Sequence, residues 1–351
     1  MNRILNIGIL LLLLCEVGIS AQSEFTRHHK TRFDEYAGSS IEKLTISNRH
    51  GVVQYTGWDK DTLAVRISIW VEAPNPVIAA EVHDQIDIAQ QPTRKTLDYS
   101  TVFKQNFFSN YNFGIDYHIF GPKELELKIL NRLGNINIDE YYGVATITGE
   151  YSHLKIARYR EAMPKAVIQI TNGDLEIGDL IKAEIIHKNG QFELSKAVDL
   201  SLTADFSTAT IHHIEQLKLI ATTSNINIEQ AGSVNFKTKH TNIVISKLQQ
   251  HGFIESYLGS VNIQSIESSL KELTIAGDHS PIQVHIADKL AFNLHGQVSN
   301  GQFFYPENKK IRIFRESNTL SFSSENSSRN KPAPNLIIFN KNSDIHLIVN
   351  Q

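Results

Sequence analysis

From Ile136 onward the chain repeats one short pattern of apolar and polar positions. A pair of turn residues is followed by apolar–any–apolar, and the first apolar position falls at Ile136, Leu154, Leu175, Phe192, Ala209, Ile226, Ile243, Val261, Ile282 and Phe303. The spacings are 18, 21, 17, 17, 17, 17, 18, 21 and 21 residues. A second apolar position follows two residues on, at Ile138, Ile156, Ile177, Leu194, Ile211, Ile228, Ile245, Ile263 and Val284. Three residues later a third inward site recurs as Leu180, Ala197, Ile214, Ala231, Leu248 and Ile266. A second alternating run, such as Val198-Asp-Leu-Ser-Leu or Leu217-Lys-Leu-Ile-Ala, closes each unit.

Alternation with period two predicts strands with one buried face. Gly, Asn, Ser or Thr ahead of each strand supplies the turn, as in Asn172-Gly-Asp, Asn189-Gly-Gln and Thr223-Ser-Asn. Two short strands per unit also fit an antiparallel sandwich. The same side-chain pattern at a nearly fixed interval instead marks stacked units, each lying on its predecessor. The expectation is therefore all-β: a single-stranded β-solenoid with turns of about 17–21 residues, plus a short N-terminal helix. Ten turns at about 4.8 Å give a rod of roughly 50 Å.

Ahead of the repeat, Asn48-Arg-His-Gly-Val-Val-Gln-Tyr-Thr-Gly-Trp-Asp fits the same frame, with Val53, Tyr55 and Trp58 inward. Asn75-Pro and the apolar Val77, Ala80 and Ile86 predict a helix from Pro76 to about Ala89. Strands are expected near Thr96–Phe103, Gly114–Phe120 and Leu125–Leu130. Ser317 to Pro334, mostly polar with Pro332 and Pro334, reads as a loose loop. Two last strands, Asn335–Asn340 and Asp344–Val349, are expected to close that end. The division is 1–21 signal peptide, 22–130 N-terminal capping segment, 131–310 solenoid repeats, and 311–351 C-terminal loop and capping strands.

The first 21 residues change the picture of compartment. Arg3, the apolar run Ile4 to Leu14 and the small residues before Gln22 form a secretory signal. The run is too short for a transmembrane helix, which needs about 20 residues. Cys15, the one cysteine, follows Leu14 where a lipoprotein site wants a small residue, so cleavage is expected after Ala21. The mature chain then has no cysteine, and neither disulfides nor thiolate-bound metal can form. With 351 residues, 41% apolar, and a net charge of −3, the chain can bury a core but lacks the concentrated cationic charge that phosphate binding needs. Nucleic acid is excluded as a partner.

Candidate chemistry is sparse. The 15 His residues include the pairs His28-His29 and His212-His213, but neighbours on a strand point to opposite faces and cannot converge on a metal. The outward column between the first two apolar sites reads Asn137, Lys155, Glu176, Glu193, Thr210, Asn227, Val244, Asn262, Gln283. Glu176 and Glu193 are the one carboxylate pair that stacking brings together. Such a pair suits acid–base work on a glycan, though on an open strand it reads as surface charge. The stretch Phe103 to Phe113 carries Phe107, Phe108, Tyr111 and Phe113. Exposed, it is a binding patch; folded over the end, it is cap packing. No phosphate loop, nucleophile elbow, cofactor or metal motif occurs.

Asn48-Arg-His-Gly-Val-Val-Gln-Tyr-Thr-Gly-Trp-Asp, the later Asn131-Arg-Leu-Gly-Asn-Ile-Asn-Ile and the repeated Gly/Ser-x-Ile-x-Ile units resemble the bacterial putative-adhesin family of exported β-solenoid proteins, above all its Bacteroidota-type members. The resemblance spans Ile41 to Phe304. It implies a solenoid, export to the periplasm, outer envelope or medium, and a surface-adhesive role, with no catalytic residues to transfer. The sequence-based expectation is a non-enzymatic module that binds a glycan or an envelope protein. The alternatives are a carbohydrate-active enzyme on the same scaffold and a self-assembling filament.

Overall fold

The computed structural model describes residues 25–160, 166–325 and 333–350. The signal segment and Cys15 lie outside them. The described residues are all-β with one α-helix, and the strands join in one large sheet that is not closed.

The alternation works as expected. Every residue of the three inward columns is buried. Ala209, Ile226, Ile243, Val261 and Ile282 pair in parallel register, one above the next. Ile136, Leu154 and Leu175 do the same. The closing runs stack likewise, with Leu219, Phe236, Ile254 and Ile275 in one column. Each such aliphatic contributes about 1.5–3 kcal/mol by leaving water. Where the spacing lengthens from 17 to 18, the extra residue is absorbed as an irregularity between Ala231 and Ser233.

One corner recurs in each repeat. Leu133, Tyr151, Asn172, Asn189, Phe206, Thr223, His240, Leu258, His279, Asn300 and Asn342 all have left-handed backbone, with φ between 49° and 60°. Small residues follow them. A Cβ on Gly173 would lie 2.0 Å from the Ser152 carbonyl oxygen, so glycine allows the close approach there. Where serine or threonine stands instead, its hydroxyl joins the repeats. Ser207 N–H donates to Ser224 Oγ at 3.1 Å, and Ser224 Oγ donates to the Ala204 carbonyl at 3.1 Å. Side-chain amides run beside this ladder: Asn189 Nδ2 donates to Asn172 Oδ1 at 2.9 Å and Asn242 to Asn225 at 3.0 Å.

The ends depart from the expected order. Strand Lys43–Arg49 lies between Thr96–Phe103 and Glu126–Tyr141. Val53 sits between Tyr117 and Ile136. At the other end, Asn335–Lys341 inserts between Glu272–Asp278 and Asn293–Ser299. Ile345, not Phe303, stacks on Ile282, and Phe303 stacks on Ile345. The final strands are thus interleaved with earlier repeats and do not simply cover the end. Within the expected loop 317–334, Thr319–Ser324 is a strand antiparallel to Asn293–Ser299. Its Phe322 is buried and stacks on Phe303 at 3.9 Å between ring centroids.

The helix is Pro76–His83, capped by Asn75 Oδ1 accepting from Ile78 N–H at 3.0 Å. It ends earlier than expected because Ile86–Pro92 forms a strand antiparallel to Thr96–Phe103. The 12-residue strand Thr26–Ala37 pairs along Thr62–Ala73. Val53 and Tyr55 are buried as expected. Trp58 is half-buried against Phe120 at 5.5 Å, its Nε1–H donating to the Thr62 carbonyl at 2.7 Å.

Candidate functional site

The strands place the outward column as the repeat demands. Asn137 faces Lys155, and Lys155 faces Glu176. Thr210, Asn227, Val244, Asn262 and Gln283 follow in register. Lys155 Nζ is 2.6 Å from Glu176 Oε1. Glu193 Oε1 is 3.5 Å from His212 Nε2, and the other ring nitrogen of His212 is 3.0 Å from Glu229 Oε1. Glu229 first and Glu193 second raise the His212 pKa above its ordinary value.

Glu176 and Glu193 line one shallow depression with His153, Asp174 and Thr210. Their side chains are 44% and 63% exposed. The arrangement is an open surface ladder in which Glu176 pairs with Lys155 and Glu193 with His212. Ion pairs this open contribute about 0–1 kcal/mol each.

His212 and His213 both face outward, contrary to the strand rule. Ile211 and Ile214 are buried on either side of them, so the two histidines span a bend where alternation lapses. Among the described residues, no three His, Cys, Asp or Glu converge as a metal site would require.

The aromatic stretch divides. Phe103, Phe107 and Phe113 form a cluster with ring centroids 4.7–6.0 Å apart, and His50 lies 5.0 Å from Phe113. Burial foremost, then Arg49 and Arg132, lowers the His50 pKa. Tyr111 is half-buried, 6.1 Å from Phe25. Phe108 alone projects, 71% exposed. Phe107 and Phe113 therefore pack against Phe103, and Phe108 is the aromatic of the stretch offered to solvent.

Sequence reasoning missed a neighbouring site. Arg27 stacks over Trp70 at 4.0 Å, and Trp70 Nε1–H donates to Asp116 Oδ2 at 2.9 Å. These residues, with His50, Gly51 and Gly134, line a shallow depression. The paired Asn-Arg-His-Gly and Asn-Arg-Leu-Gly stretches were the available signal, because they place Gly51 and Gly134 at equivalent corners. Arg27 and Trp70 arrive from the long antiparallel pair, which no repeat announces. Also missed were the outward aromatics of the closing runs, Tyr257 and Phe339.

Among the described residues no helix is long and apolar enough to cross a membrane. No family model matches the chain, and no curated protein matches it. Solved structures do. A "putative adhesin" from Parabacteroides distasonis is 9% identical, with a TM-score of 0.32, over 90% of this chain and 97% of that one. A "putative cell adhesion protein" from Clostridium sporogenes is 11% identical, with a TM-score of 0.23, over 92% and 100%. A "putative lipid binding protein" from Parabacteroides distasonis is 10% identical, with a TM-score of 0.32, over 91% and 97%. Neither the identities nor the scores assign a ligand to this chain.

Proposed function

We propose that this chain is an exported, non-enzymatic β-solenoid that serves as an adhesive or binding module of the cell envelope. The solenoid reading is supported by the parallel register at 17- and 18-residue intervals from Thr208 to Tyr257. The division into a signal peptide to residue 21, a cap to 130, repeats to 310 and a closing segment to 351 belongs to the same reading. Its partner is a glycan or an envelope protein.

The observation that carries it is Phe108, a large aromatic 71% exposed in an otherwise packed aromatic stretch. Beside it, Phe107 and Phe113 pack against Phe103, and Tyr111 lies against Phe25. Glu176 and Glu193 offer a second, polar contact surface. The enzymatic alternative needs a carboxylate pair free to exchange protons, and these two are engaged by Lys155 and His212.

The test is to incubate the protein with purified envelope and matrix polysaccharides and with envelope proteins, scoring retention together with new reducing or unsaturated ends. Retention without cleavage is expected. Cleavage that disappears in Glu176→Gln/Glu193→Gln would replace this reading with the enzymatic one.

A further inference from the structure

The closing runs of the C-terminal repeats present a second outward face. Two of its columns lie side by side. Lys239, Tyr257, Asp278 and Lys341 are paired in one, and Lys237, Glu255, Ala276 and Phe339 in the other. Successive residues in a column are about 4.8 Å apart. Ala276 offers only a methyl group where its neighbours offer Glu255 and Phe339. The gap is a cleft of about 360 Å³ floored by Ala276 and Gly277, with Tyr257 and Phe339 as walls. The two rings are 43% and 40% exposed.

The charges around the cleft are unevenly matched. Glu255 has Lys237 at 3.8 Å. Asp278 accepts from Asn342 Nδ2 at 3.1 Å and lies 2.8 Å from His279 Nδ1. Lys239 lies over the Tyr257 ring at 5.9 Å, and neither Lys239 nor Lys341 has a carboxylate within ion-pair distance among the described residues. Two aromatic walls accept the C–H faces of sugar rings, and Lys239 with Lys341, which feels the adjacent Asp278 but makes no ion pair with it, can accept carboxylates. Glu255 and Asp278 remain as acceptors for hydroxyls. The outward face continues beyond the cleft: Phe253, on the same strand and face as Tyr257, lies about 13 Å away at 3.3 Å per residue and is also exposed. That continuity suits a polymer better than a single sugar.

We infer that this cleft binds an acidic polysaccharide, a deepening that rests on the proposed binding function. The test is affinity electrophoresis of the whole chain through gels containing polygalacturonate, or neutral dextran in parallel. Polygalacturonate is expected to retard the protein and dextran to leave it unretarded. Tyr257→Ala and Phe339→Ala are each expected to weaken retardation about tenfold. Lys239→Gln/Lys341→Gln is expected to abolish the preference for the acidic polymer. Ala276→Phe fills the cleft from an exposed position without removing a contact, so it reports on the cleft even where an aromatic truncation misfolds. It too is expected to abolish retardation.

Equal retardation by dextran would overturn the acidic assignment. Retardation that survives all these variants but is lost in Phe108→Ala would overturn the cleft and leave the binding function standing. A protein retained by no polysaccharide and by no envelope protein would overturn both.

Discussion

Phe206 occupies the left-handed corner with φ 51° and is 62% exposed. For a residue with a Cβ this conformation costs about 1–2 kcal/mol. Little burial offsets that cost at an exposed site. Asn172 and Asn189 hold the same corner in the two preceding repeats, and asparagine tolerates it. Phe206→Asn is expected to stabilise the protein by about 1 kcal/mol in denaturant unfolding. A destabilised variant would mean that the Phe206 ring makes a contact worth more than the strain.

His187 argues in the opposite direction. It is wholly buried, its Nε2–H donates to the Gly173 carbonyl at 2.9 Å, and its Nδ1 has no partner. Protonation would place an N–H with no acceptor inside the core, so burial lowers the His187 pKa below its ordinary value. The unfolded chain then binds a proton that the folded chain refuses. The stability owed to neutral His187 is complete above about pH 6.5 and declines as the pH falls below it. His187→Leu removes that decline, and its paired neighbour Ile170 is already apolar. The stability of the variant relative to the parent should rise from pH 7 to pH 5. A difference flat in pH would show that His187 does not carry the effect.

At the scale of elements, the inward columns carry the stability and the outward ladders carry little. Ile245 is fully buried and paired between Ile228 and Ile263. Ile245→Ala is expected to cost about 2–5 kcal/mol. Glu176→Gln, which breaks an ion pair half open to water, should cost less than about 1 kcal/mol. Urea unfolding of the two variants separates the roles, and equal losses would refute the division.

The inward columns were legible in the sequence because period-two alternation and a fixed interval report burial directly. The bend at His212-His213 was not, because two outward residues in succession break the rule by which a strand is read. The helix end was misjudged at Ile86 and Ile88, whose apolar spacing continues a helical stripe as readily as it begins a strand. Glu176 and Glu193 came out near each other, as stacking requires, but their partners did not follow from the column. His212 lies in a different column from Glu193 and reaches it diagonally across the bend.

At the scale of the whole molecule, both ends of the sheet need protection, because a free edge invites pairing with another chain. Among the described residues, Thr26–Ala37 and Arg312–Glu316 each pair with one strand only. The first carries Arg27, Lys30, Arg32, Asp34 and Glu35, and the second Arg312, Arg315 and Glu316. Charged side chains along an edge disfavour its pairing with another chain, which opposes head-to-tail filaments. Interleaving protects the ends in a second way, and its magnitude can be bounded. Leu336, Ile338, Ile345 and Leu347 are buried in the inserted segment. At about 1.5–3 kcal/mol each they contribute roughly 6–12 kcal/mol before entropy. That is comparable with the net stability of about 5–15 kcal/mol that a whole domain retains.

A chain ending at residue 334 would therefore lose more than its last two strands. Glu272–Asp278 and Ile282–Ala287 would each lose a parallel partner, and Asn293–Ser299, with the hairpin it carries, would lose its link to the rest of the sheet. Amide exchange in Glu272–Ala287 should be slow in the full chain and fast in the shortened one. Exchange in Asn225–Lys239, flanked by strands on both sides in either chain, should change little. Unchanged protection of Glu272–Ala287 after truncation would show that the repeats hold one another without the inserted segment.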